Sequence, residues 1–101
     1  FTYVADIAEG VCAVLDVPTL SYDVYNNSSA ELTTMAEVAA ALQDLRPDLR
    51  TIDVPGKELT GRASRMDVTR MADDVGFVAK FDLPAGLQDY LAWREATAFT
   101  E

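Results

Sequence analysis

The sequence predicts an α/β domain of short strands and about four helices. Three observations point there. Short stretches rich in β-branched and aromatic residues alternate with stretches whose apolar residues recur every three to four positions. The helical stretches carry start and stop signals, a capping side chain before and a proline or glycine after. The resulting order, β-α-β-α-β-α-α, has no repeat, low-complexity tract or linker, so residues 1–101 read as a single domain.

Each element follows from local chemistry. Thr2-Tyr3-Val4 favours a strand. Asp6 and Glu9 then have capping-box spacing, and Ile7, Val11, Val14 and Leu15 recur at helical intervals, predicting a helix over residues 5–16 that Asp6 caps and Pro18 stops. Gly10 lies inside it, at a cost of about 1 kcal/mol relative to Ala that close packing of another element can offset. Cys12 follows the apolar pattern and reads as a buried small hydrophobe. Tyr22 to Asn26 alternates as a second strand, with Asn26 tying down the polar turn that runs to Ser29.

A second capping box, Thr34 with Glu37, opens a helix whose stripe is Met35, Val38, Ala39, Leu42 and Leu45 and which Pro47 ends. Thr51 to Val54 is a third short strand before Pro55-Gly56, and Lys57 to Ser64 reads as an exposed loop. Asp67 to Asp74 predicts a short helix ended by Gly76. Asp82 caps a last helix marked by Leu83, Leu87, Tyr90, Leu91 and Arg94, with Tyr90 and Trp93 as packing residues. Strands this short make a weak sheet alone, and Phe1, Tyr3, Phe77 and Trp93 need covering, so the domain is expected to pack against something larger.

Charge narrows the classes of partner. The chain carries 17 acidic and 8 basic residues, a net −9, which argues against nucleic acid and against an anionic membrane surface. Within Lys57 to Arg70, however, Lys57, Arg62, Arg65 and Arg70 face only Glu58 and Asp67, a local balance of +2 that leaves −11 for the rest. Such an island suits an anion site, or serves to neutralise neighbouring carboxylates. With a single cysteine, no internal disulfide can form, and no signal-peptide or membrane-spanning pattern occurs, so a cytoplasmic protein is expected.

Catalytic patterns are missing. The five glycines form neither a dinucleotide fingerprint nor a phosphate loop. The chain has no histidine, which excludes Ser-His-Asp and Cys-His arrangements. No Tyr is followed four places on by Lys, the nearest case being Tyr90 with Arg94. Asp73-Asp74 point about 100° apart on a helix and read as a solvated face. The sequence therefore predicts no catalytic, cofactor-binding or metal-ligating residue in this chain.

Six segments in order resemble one family. Phe1-Thr2-Tyr3-Val4-Ala5-Asp6-Ile7-Ala8-Glu9-Gly10 is similar to the R-x-F-x-Y-V-x-D-V-A-x-G segment of NAD-dependent epimerases and dehydratases, the extended short-chain dehydrogenase/reductase enzymes that act on nucleotide sugars. Tyr25-Asn26 resembles its Y-N-(I/V)-G strand end, Leu32-Thr33-Thr34 with Glu37-Val38 its L-T-x-x-E-L helix start, and Arg65 to Arg70 its D-x-S/T-K/R segment. Gly76-Phe77 looks like L-G-W/F-x-P, and Leu83 to Leu87 with Tyr90 and Trp93 looks like the closing L-x-E-G-L helix. Ser28 stands where the family has Gly, and Ala79 where it has Pro.

The resemblance implies the C-terminal, substrate-binding fragment of an NAD(P)-dependent nucleotide-sugar epimerase, dehydratase or reductase. An N-terminal Rossmann domain, outside this chain, would bind NAD or NADP and supply the Tyr-x-x-x-Lys pair, so the chain alone is expected to be inactive. The family's diphosphate contacts fall on Arg62 first and Arg65 second, with Arg70 as a surface or ion-pair residue; arginine's planar fork suits phosphate oxygens. Expected partners are the nucleotide sugar and the Rossmann domain, in a homodimeric parent. The competing reading is a free-standing acidic interaction or carrier-type module, although Ser21, Ser28, Ser29 and Ser64 all lack the Asp-Ser-Leu context of a phosphopantetheine site.

Overall fold

Residues 1–56 and 64–97 are described by a computed structural model of the chain. Their regular structure is helical: α1 (Val4–Asp16), α2 (Met35–Leu45), a π-helical turn (Met71–Val75) and α3 (Leu83–Thr97). No strand occurs among the described residues, which corrects the α/β expectation.

None of the three stretches with strand character finds a neighbouring strand. A strand is stable only when its backbone groups find a partner ladder, and in the first two stretches side chains take that place. Tyr22 donates its amide to the Tyr25 hydroxyl (3.2 Å), the Val24 carbonyl accepts from Arg70 (3.2 Å), and the Phe1 carbonyl accepts from the Ser29 hydroxyl (2.8 Å). Thr2 accepts the Ser29 amide (3.1 Å) through its own hydroxyl. Val4 has joined α1, and the stretch 51–54 is irregular and exposed, with Ile52 84% and Val54 77% accessible.

The helix ends follow their local signals. The Thr34 hydroxyl accepts the Glu37 amide (3.2 Å) while Glu37 accepts the Thr34 amide (2.6 Å), a complete capping box on α2. Asp82 accepts the Ala85 amide at the start of α3 (2.8 Å). Gly76 ends the π turn in the left-handed region (φ 78°), where a Cβ would be strained. Ala30 also sits there (φ 61°), its amide donating to the Ser28 hydroxyl at 3.0 Å.

Asp6 does not cap α1, contrary to the capping-box reading. The helix begins at Val4, and the Tyr3 carbonyl already accepts the Asp6 and Ile7 amides (3.1 and 3.2 Å). Asp6 thus lies in the first turn, fully buried, and takes the amides of Lys80 and Phe81, each at 2.9 Å, on its two oxygens. Glu9 likewise turns to the Lys80 ammonium at 2.9 Å rather than back to the helix start. The two carboxylates clasp the segment leading into α3 against α1.

Two glycines permit the remaining close approaches. Asn27 lies against Gly10 and donates to the Ile7 carbonyl (3.1 Å), so that a Cβ on Gly10 would stand 2.3 Å from Asn27 Nδ2. Gly86 on α3 faces the Tyr3 side chain, which stacks at a tilt on Phe81 (4.7 Å) and bonds Asp89 through its hydroxyl. α2 packs on α3, where Arg46 pairs with Glu95.

Little apolar surface is enclosed. Met71 is the one large apolar side chain buried among the described residues. The radius of gyration, 16.6 Å, exceeds the about 13 Å of a compact chain this long. Cys12, expected inside, is exposed, and Phe1 and Trp93 remain 65% and 48% accessible.

Candidate ligand groove

An open groove of about 520 Å³ lies between the stretch from Ser21 to Asn26 and the segment from Asp67 to Asp74. Ser21, Tyr22, Val24 and Asn26 line one side of it. The tight turn around Met71, whose side chain is buried, puts Arg70 and Asp74 on the opposite wall. A fixing from Asn26 Nδ2 to the Asp67 carbonyl (3.0 Å) joins the two walls at one end.

Asp74 fixes the other end. It accepts from the Ser21 amide (3.3 Å), the Ser21 hydroxyl (3.0 Å) and the Tyr25 hydroxyl. The Tyr25 and Ser21 hydrogen bonds hold its carboxyl below the usual aspartate range. Desolvation, and next the bond to Asp74, push the Tyr25 phenol above the ordinary tyrosine value. Asp67 is held low by the Thr69 side chain and amide, the latter at 2.9 Å, with the Arg70 charge adding to the effect.

Arg70 is the groove's cation. Its guanidinium lies 4.0 Å over the centre of the Tyr22 ring, and one nitrogen donates to the Val24 carbonyl at 3.2 Å. The Val24 carbonyl is its hydrogen-bond acceptor among the described residues and the Asp67 carboxylate feels its charge, so the remaining donors of its fork can reach a ligand only in competition with Asp67. A guanidinium held over an aromatic ring is positioned to meet a planar or tetrahedral anion, though Asp67, Asp73 and Asp74 on the same groove oppose a second negative charge.

The sequence-derived diphosphate residues fare differently. Arg65 is exposed on the irregular segment before the groove and does not line it. Arg62 lies outside the described residues, as do Lys57 and most of the basic island's loop. Arg70, assigned from sequence to a surface role, is the basic side chain that enters the groove. Its membership of the basic island was the available signal; its pairing with Tyr22 was not visible. Asp73 is solvated as expected, whereas its neighbour Asp74 is engaged.

A second, mostly apolar cleft of about 380 Å³ runs between the start of α1, α2 and α3, where Tyr3, Val38, Leu87 and Tyr90 meet. Tyr90 stacks on Trp93 at its mouth (5.9 Å). Among the described residues no cluster of three or more metal-ligating side chains occurs, and no helix is long and apolar enough to cross a membrane. Comparison with family models, with curated proteins and with solved structures finds no match to this chain.

Proposed function

We propose that this chain is the substrate-binding portion of an NAD(P)-dependent nucleotide-sugar epimerase, dehydratase or reductase, and that its groove holds the nucleoside diphosphate. The observation that carries the reading is Arg70, laid on Tyr22 with donors left over in an open groove. It lies in the very segment, Arg65 to Arg70, that resembles the family's phosphate-proximal motif. Arg70 replaces Arg62 as the leading diphosphate contact, with Arg65 and Arg62 as further candidate cations, Arg62 lying outside the described residues. The chain contributes recognition, not hydride transfer: the NAD or NADP site and the catalytic Tyr-x-x-x-Lys pair belong to a separate Rossmann domain of a cytoplasmic, homodimeric parent.

The test is a titration of the ¹⁵N-labelled full chain with UDP-glucose, with inorganic pyrophosphate as competitor and NAD as control. Amide shifts at Tyr22, Thr69 and Arg70 that pyrophosphate reverses, and that Arg70→Ala removes, are expected. An unmoved groove, tight NAD binding or epimerase turnover by the chain alone overturns the reading.

A second reading, an acidic interaction or carrier-type module without catalysis, draws on the exposed apolar surface of α1. Phosphopantetheinyl transferase treatment followed by mass spectrometry separates the two: a modified serine would replace the first reading.

A further inference from the structure

The mostly apolar cleft between the start of α1, α2 and α3 is lined by three aromatic rings, those of Tyr3, Phe81 and Tyr90. The Tyr3 and Phe81 rings stand 4.7 Å apart with their planes 50° to one another, an angled pair rather than a flat stack. Each ring is fixed by contacts of its own. Tyr3 packs on Gly86 and donates its hydroxyl to Asp89. The Phe81 amide is held by Asp6 at 2.9 Å, and Tyr90 rests on Trp93. The rings are therefore in place before a ligand arrives, and little ordering is left to be done on binding.

The charged side chains on the same cleft are both acids. Glu31 and Asp82 line it, and no Lys or Arg does so among the described residues. The Glu31 carboxylate has no hydrogen-bond or ion-pair partner among those residues. Asp82 spends one oxygen on the Ala85 amide and keeps the other. The nearby cations are committed elsewhere, Lys80 to Glu9 and Arg46 to Glu95. Arg70, which lies over Tyr22, belongs to the other groove.

Rings and carboxylates select the same ligand. The face of an aromatic ring carries negative potential and attracts a cation, as the two acids do. An anion is repelled by both. A hydrated metal ion gains nothing from an apolar wall, and no cluster of three ligating side chains occurs among the described residues. A primary ammonium has three N–H donors to satisfy, which a mostly apolar wall cannot do, whereas a fully methylated nitrogen has none to lose. At about 380 Å³ the cleft also has the size of a small-molecule site. We propose that it binds a small organic cation, a quaternary ammonium of the trimethylammonium type, with the methyl groups against Tyr3, Phe81 and Tyr90 and the charge balanced by Glu31 and Asp82. This inference does not rest on the nucleotide-sugar reading.

The probe is choline chloride, titrated into the ¹⁵N-labelled full chain at constant ionic strength. The control is 3,3-dimethylbutanol, in which a carbon replaces the charged nitrogen and the shape is kept. Saturable amide shifts at Phe81, Gly86 and Tyr90 are expected, with a choline Kd about tenfold below that of the uncharged alcohol. Tyr90→Leu keeps an apolar wall but removes a ring face, and should weaken choline about tenfold while leaving the alcohol unchanged. Glu31→Gln should weaken choline about threefold and the alcohol not at all. Should Tyr90→Leu fail to fold, Glu31→Gln decides alone, because its exposed side chain holds no partner in place. Three results overturn the proposal: no saturable shift in the cleft, the alcohol bound as tightly as choline, or choline affinity unmoved by Glu31→Gln.

Discussion

Arg70 lies over the ring of Tyr22, with 4.0 Å between the guanidinium carbon and the ring centre. The contact fixes a cation at an open groove and holds the stretch from Ser21 to Asn26 against the π turn. Replacing Arg70 by Ala is expected to cost about 1 kcal/mol in urea unfolding, from the lost stack and the lost bond to Val24. Arg70→Lys recovers part of that, because an ammonium can lie over the ring but lacks the planar fork. Equal loss for both substitutions would locate the stabilisation in the Val24 bond alone.

Gly10 and Asn27 are expected to couple strongly. A Cβ at position 10 falls 2.3 Å from Asn27 Nδ2, so Gly10→Ala must expel the Asn27 side chain and break its bond to the Ile7 carbonyl. A loss of about 1–3 kcal/mol is expected, despite alanine's better helix propensity. In the double variant Gly10→Ala with Asn27→Ala the steric cost disappears, and a double-mutant cycle by chemical unfolding should show clear non-additivity.

Asp6→Asn tests the clasp on Lys80 and Phe81. An amide keeps one accepting oxygen and turns a donor toward the other backbone N–H, leaving a buried amide unsatisfied. The expected cost is about 1–3 kcal/mol. Amide exchange at Phe81 or Lys80 should accelerate well beyond the global loss of stability, because the clasp opens locally.

Stability should hold across neutral pH and fall on both sides. Asp74 has its pKa depressed by Tyr25 and Ser21, so its contribution is complete above the unfolded aspartate value of about 4 and is lost as pH falls through the lower folded value. Tyr25 has its pKa raised by burial and by Asp74, so its contribution is complete below about 10 and is lost as pH rises through the higher folded value. Urea midpoints measured against pH should show both limbs; Asp74→Asn should flatten the acid limb and Tyr25→Phe the alkaline one.

What could be read from sequence follows the range of the interactions involved. The Thr34–Glu37 box, the Asp82 cap and the Gly76 stop are formed by residues within a few positions of one another, and each forms where the sequence signals it. The helical period of α1 was equally legible, but a period does not say which face looks inward, so Cys12 emerged exposed. Asp6 has the spacing of a cap, yet its partners lie 74 and 75 residues away. Strand formation is likewise non-local: β-favouring side chains cannot specify a ladder when no second strand lies alongside. The groove was half legible, since Arg70 stood out as part of a basic island but its role depended on Tyr22 and Val24, the latter 46 residues distant.

The side-chain fixings along the stretch from Ser21 to Ala30 bear on how the chain tolerates insertions. In a sheet, slipping by one residue sends every following side chain to the opposite face. Here Ser21, Tyr25, Asn26, Asn27 and Ser29 are each pinned separately, to Asp74, Asp67, Ile7 and the chain start. A residue added between two pins becomes slack in that interval and leaves the others seated. Length variation should therefore be best absorbed in the region whose amino acids look most like a strand.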